Sequence, residues 1–118
     1  MGENDDVKKG PVKHFSDLQV WKLARDLKIQ LYQLVEKLPE IEKYNLKQQI
    51  IRCAVSVTAN IAEGYGRYHF KENIQFCRQA RGSLYELQDH LITCMDFNYI
   101  SSDSYPELTR LITDAIRT

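Results

Sequence analysis

The chain has 118 residues, of which 43% are apolar and 10% aromatic, and its sixteen Lys and Arg balance sixteen Asp and Glu to a formal charge of zero. That length suits a single domain able to withdraw roughly two-thirds of its chain surface from water, and the apolar content argues against global disorder. The neutral balance argues against a strongly basic nucleic-acid binder of the usual kind, and no run reaches the ~18 apolar residues that a bilayer span needs.

Met1–Lys13 is polar, charged and aperiodic, and reads as a disordered leader (residues 1–13); its first eleven residues lack the apolar core of a signal peptide. A first helix is expected over about 16–38. Ser16 is the candidate N-cap, with Gln19 three residues on as a capping box and Phe15 as a staple onto Val20. Val20, Ala24, Leu27, Leu31, Leu34 and Leu38 repeat at 4-3-4-3-4, one face of a helix, and Pro39 is expected to stop it. A second helix, about 46–63, opens at Asn45 with Gln48 in the box position and carries Leu46, Ile50, Ala54, Val57 and Ile61 on one face. Its second half is rich in small residues, and Gly64 reads as the glycine just past its end, free to take positive φ.

The third helix, about 69–97, has Phe70, Ile74, Cys77, Ala80 or Arg81, Leu84, Leu87, Leu91 and Cys94 on its core face. Gly82 costs about 1 kcal/mol against Ala in a helix interior, so close helix packing is expected at Gly82-Ser83. Asn98–Asp103 reads as a loop. Pro106 fits the first turn of a last helix, about 105–117, which is marginal alone and needs docking. Nothing reads as a strand, and four helices with short connections imply an all-α, antiparallel up-down-up-down four-helix bundle over residues 14–118.

Charge is segregated along this chain. Residues 43–81 hold seven Lys or Arg against Glu63 and Glu72, a balance of +5, whereas residues 82–118 stand at −4. The middle segment offers an anion surface made of Lys47, Arg52, Arg67, Lys71, Arg78 and Arg81. Tyr68, His69 and Phe70 lie between two of these cations, and interleaved cations and aromatics suit a single strand through phosphate contact and base stacking. The competing reading makes these cations solvated or paired between subunits, and the neutral total favours it.

Other chemistry finds little support. Asn60 and Glu63 lie three apart beside small residues, where a desolvated carboxylate could act as a base; a structural role is the better reading, because no second carboxylate, Ser-His or Cys-His pair joins them. A di-metal carboxylate site needs Glu-x-x-His on two helices, and this chain has only Glu86 and His90 four apart. His90 and Cys94 would give two ligands, too few for a metal. No phosphate-cradling glycine motif occurs, so neither cofactor nor catalysis is expected. Cys53, Cys77 and Cys94 are odd in number and form no CxxC pair, which suits a reducing, cytoplasmic setting.

Several stretches carry a family likeness: Phe15-Ser-Asp-Leu18 with Val20-Trp21, Pro39 with Glu42 and Tyr44, Leu46 through Gln49, and Arg52 with Ala54 and Ser56. Ala59-Asn-Ile-Ala-Glu-Gly64 with Gly66-Arg67, and Ala80 with Gly82-Ser83 and Glu86, complete the set. In these the chain resembles the four-helix bundle proteins encoded in intervening sequences of bacterial 23S rRNA genes, a family related to the accessory variability proteins of diversity-generating retroelements. The resemblance marks Asn60, Glu63, Gly64, Gly66, Gly82 and Ser83 as motif residues. It implies a ring-shaped homo-oligomer, a pentamer, with a role in binding RNA or DNA and no catalysis. The alternative is a protein-interaction scaffold for a partner such as a reverse transcriptase, and no membrane partner is expected.

Overall fold

The computed structural model describes residues 12–67 and 70–118, and for residues 70–72 the backbone alone. The expected leader lies outside the described residues up to Pro11; Val12 and Lys13 are exposed coil. Four helices follow: α1 Gln19–Val35, α2 Leu46–Tyr65, α3 Phe70–Asp96 and α4 Ser104–Arg117, with no strand among the described residues. Each helix packs on its neighbours in the chain, and α4 closes the square against α1. Contacts across the α2–α3 seam run in opposite order along the two helices, Arg52 with Glu86, Ser56 with Ser83 and Gly64 with Asn73, so that pair is antiparallel. Lys28 with Thr58 and Glu36 with Lys47 make α1 and α2 antiparallel as well.

The core forms where the helical stripes meet. Leu27, Leu31, Ile50, Leu87, Leu91 and Ile112 are fully buried among leucines, alanines, Cys53 and Cys94. Thr58 is the one buried polar residue among the described residues, and it is satisfied on both sides: Lys28 Nζ donates to its hydroxyl at 3.1 Å, and the hydroxyl donates to the Val55 carbonyl at 3.2 Å.

The helix ends depart from the expected caps, each for a local reason. Ser16 does not cap α1. A 3₁₀ turn, Phe15–Asp17, comes first, and the box is displaced upstream: His14 Nδ1 accepts from the Ser16 N–H, while the Asp17 carboxylate accepts from the N–H of Lys13 and of His14 at 3.1 and 3.0 Å. Leu18 is extended between turn and helix, and Phe15 meets Trp21 edge to face. At its other end α1 stops at Val35, and i→i+3 bonds from Lys37 and Leu38 tighten the chain. Leu38 cannot continue the helix because the ring of Pro39 disfavours helical geometry in the residue before it.

Asn45 provides no side-chain cap for α2. Glu42 reaches forward instead and accepts from the Leu46 N–H at 3.3 Å. The far end of α2 runs past Gly64, which is helical and buried, to Tyr65; Gly66 closes it with φ −75°. Positive φ occurs at Asn98 (60°) instead. There the Tyr99 N–H bonds to the Cys94 carbonyl at 2.8 Å and the Asn98 N–H to Met95 at 3.1 Å, a Schellman ending for α3. Two further expectations for α3 give way: Cys77 is exposed rather than core, and an added Cβ at Gly82 would meet nothing within 4 Å, so Gly82 is not a close-packing point within the subunit.

Candidate nucleic-acid interface

The seam between α2 and α3 is unusual in being polar at its edge along much of its length. At one level the Arg52 guanidinium bonds to the Glu86 carboxylate and is held by Gln49 Oε1 at 2.8 and 3.1 Å. One turn on, Ser83 Oγ donates to Ser56 Oγ at 2.9 Å, and Asn60 Nδ2 donates to the carbonyl and hydroxyl of the same Ser56. At the end, Asn73 Nδ2 donates to the Gly64 carbonyl at 2.7 Å, and the helices approach so closely that a Cβ on Gly64 would come within 3.1 Å of Phe76 Cβ. Ser83, through Ser56, and Gly64 thus lock α2 on α3, while Asn60 bonds back to Ser56 within α2. Glu63, on the outer side, pairs with Arg67.

Glu86 is a hub. Burial pushes its carboxyl up, but hydrogen bonds from Cys53 and His90 and the charge and hydrogen bond of Arg52 outweigh this and hold it below the usual carboxylate range. His90 Nε2 is 3.1 Å from the same carboxylate oxygen. Burial first, then the neighbouring carboxylate, push the Cys53 thiol up to about 12. Cys53, Glu86 and His90 bring one donor atom each within 4.8 Å of one another, a set that sequence spacing could not show because Cys53 comes from another helix. These donor types suit a divalent ion. The positive charge they face is that of Arg52, whose Nη2 lies 3.6 Å from Cys53 Sγ, and the cluster is complete as a hydrogen-bonded network.

The six candidate cations do not form one surface. Lys47 opens α2 and Arg67 lies two residues past its end, so the length of the helix, roughly 30 Å for twenty residues at 1.5 Å per residue, separates them. Lys47 pairs with Glu36 at 3.7 Å across the α1–α2 connection. Arg67 pairs with Glu63 at 2.8 Å and lies 5.7 Å from the Phe76 ring centroid. Arg78 and Arg81 are exposed on α3 and make no ion pair among the described residues. Tyr68 and His69 lie outside the described residues, and Lys71 lies in the first turn of α3. Arg67, Arg78 and Arg81 therefore belong to one half of the molecule, where α2 hands over to α3, and Lys47 to the other. Arg81 also borders a cleft of about 320 Å³ lined by Leu18, Ile61, Tyr65, Ala80 and Ile116.

At the opposite end the connections carry exposed apolar side chains: Ile41 is 82% exposed, Tyr44 76% and Phe97 63%. The two connections are joined there, because Tyr99 Oη donates to Glu42 at 2.8 Å.

Comparison with known proteins places this arrangement. Residues 16–118 match the family described as 23S rRNA-intervening sequence protein. The chain belongs to that family. The match spans all four helices and the α2–α3 seam. A crystal structure of a protein of unknown function from the S23 ribosomal protein family of Bacteroides thetaiotaomicron is similar to this chain, with a TM-score of 0.77 over 83% of this chain and 92% of that one. Its 20% identity supports the shared fold alone. No curated protein matches the sequence. No helix among the described residues is long and apolar enough to cross a membrane.

Proposed function

We propose that this member of the 23S rRNA-intervening sequence protein family is a non-enzymatic helical bundle of the cytoplasm. In this reading it assembles into a ring-shaped pentamer and binds single-stranded RNA or DNA through the cations at the α2–α3 end. The supporting observation is that Arg78 and Arg81 are solvent-facing with no ion pair among the described residues, in a segment that carries a balance of +5. The pairs at Lys47, Arg52 and Arg67 are exposed or half-exposed; such pairs contribute about 0–1 kcal/mol, so a phosphate can compete for the cation. Repetition around a ring multiplies a weak site into useful avidity.

The test is binding of a labelled single-stranded RNA, and of DNA of the same sequence, across a salt series, with Arg67→Glu and Arg81→Glu as variants. Binding that falls steeply with salt, and a flatter salt dependence in either variant, supports the reading. No binding at low salt by a well-formed oligomer refutes it. A second reading is favoured by the apolar end: Ile41, Tyr44 and Phe97 would present a protein-docking tip, making the assembly a scaffold for a partner such as a reverse transcriptase. That reading expects a partner retained after nuclease treatment and lost in Ile41→Asp with Tyr44→Asp.

A further inference from the structure

Cys53, Glu86 and His90 are the one group of three metal-binding donors among the described residues. Two features of the chain bring them together. Glu86 and His90 are four apart and so share one face of α3. The antiparallel register that sets Ser56 against Ser83 brings Cys53, buried on α2, level with them. The result is a thiol, a carboxylate and an imidazole drawn from two helices. His90 Nε2 lies 3.1 Å from Glu86 Oε2, and all three donor atoms lie within 4.8 Å of one another.

These distances come close to a coordination sphere. Zinc bonds of ~2.0 Å to nitrogen or oxygen and ~2.3 Å to sulfur place the donors of a tetrahedral site roughly 3.3–3.6 Å apart. The imidazole and the carboxylate already stand near that spacing, and no pair of donors has to close by more than about 1.5 Å. A positive charge already sits at this corner, because Arg52 Nη2 bonds to Glu86 and lies 3.6 Å from Cys53 Sγ. The Arg52 side chain is 54% exposed and is tied to Gln49 on its own helix. It can therefore turn outward into water while the Ser56–Ser83 and Gly64–Asn73 contacts keep the seam closed.

We propose that Cys53, Glu86 and His90 bind a divalent ion of the zinc class, which replaces the Arg52 guanidinium and staples α2 to α3. Thiolate and imidazole donors select such an ion over magnesium or calcium, which take oxygen donors. Three protein donors leave a fourth position for water on the side that Arg52 vacates. As the metal–sulfur bond forms, the S–H bond of Cys53 breaks and its proton passes to solvent; no electron is transferred. The two positive charges of the ion then meet one thiolate and one carboxylate, and the charge of Arg52 moves into water. This staple is separate from Arg78 and Arg81 and does not depend on nucleic-acid binding.

The test uses the full chain, reduced and stripped of metal with a chelator. It is titrated with zinc chloride by calorimetry, in two buffers of different protonation enthalpy, and with cobalt(II) chloride by visible absorption. Cys53→Ser, His90→Gln and Cys77→Ser are compared with the wild type, and helical content is recorded for every metal-free variant. Wild type and Cys77→Ser should bind one zinc per chain with release of the thiol proton. Their cobalt forms should show a sulfur-to-cobalt charge-transfer band and the strong visible bands of four-coordinate cobalt. Cys53→Ser should lose the charge-transfer band, and both Cys53→Ser and His90→Gln should bind zinc at least tenfold more weakly. Zinc should raise the Tm of the wild type and not of these two variants. If Cys53→Ser does not fold, His90→Gln and the charge-transfer band of Cys77→Ser decide. A wild type that takes up no zinc overturns the proposal. So does binding undiminished in Cys53→Ser and His90→Gln, or binding lost in Cys77→Ser, which would put the ion at the exposed thiol.

Discussion

Gly64 and Gly82 lie in adjacent helices, and their surroundings could hardly differ more. Gly64 faces inward, where an added methyl group would lie 3.1 Å from Phe76 Cβ, tighter than an ordinary contact; Gly82 faces outward into open space. Folding of the single chain accounts for the first and not for the second. The inner seam of α2 and α3 answers to packing and to hydrogen bonding within the subunit, while the outer face of α3 answers to whatever the subunit meets.

Substitutions can break or sharpen this contrast. The largest effect is expected deep on the inner side of α3: Leu87→Ala, at a fully buried position, should cost about 2–5 kcal/mol in urea unfolding through lost burial and the cavity left behind. Gly64→Ala comes next. The methyl meets Phe76 Cβ, an atom tied to backbone that cannot swing aside, so overpacking outweighs the gain in helix propensity and a net loss of about 1–2 kcal/mol is expected.

Glu86→Gln should cost about 1 kcal/mol near neutral pH, most of it from the pairing with Arg52, and its signature is the pH dependence. The wild-type carboxyl is held below its ordinary range in the folded state, so the folded chain binds that proton more weakly than the unfolded chain does. The stability it contributes is present above the unfolded pKa and is lost as pH falls through the folded one. The gap between wild type and variant that unfolding curves show near neutral pH should close below the carboxylate range; a constant gap would refute the assignment. The smallest effect has the opposite sign. Gly82→Ala, measured where the chain is monomeric, should stabilise it by about 0.5–1 kcal/mol.

The fold could be read from the sequence because its main signals are local. The stripe Ala24, Leu27, Leu31, Leu34 and the run Leu84, Leu87, Leu91, Cys94 repeat at helical spacing, and the structure buries all of them. The caps were misread where several polar residues compete within one turn. His14 and Asp17 outdo Ser16, and Glu42 outdoes Asn45, because each reaches more than one free N–H or a better-placed one. Gly64 was misread because a glycine after small residues looks the same whether it ends a helix or admits a neighbour. The candidate site was the least legible part. Arg52 with Glu86, Ser56 with Ser83, and Cys53 beside His90 are cross-helix partners some thirty residues apart, and no spacing rule announces them. For the cations, composition counts charge but not distance, and so joined Lys47 to Arg67 across most of a helix.

The three thiols, seen so far as small core residues or exposed ones, also amount to a built-in gauge of local opening. Cys77 is open to solvent, whereas Cys53 and Cys94 are buried and their pKa values are pushed up to about 12 and about 11. Almost no thiolate is present at either buried position at neutral pH. A thiol-reactive probe should therefore mark Cys77 within the folded chain at once. It should reach Cys53 only when α2 and α3 part, and Cys94 only when the far end of α3 loosens. The order in which the second and third labels arrive would report which end of the bundle breathes first, with no residue changed.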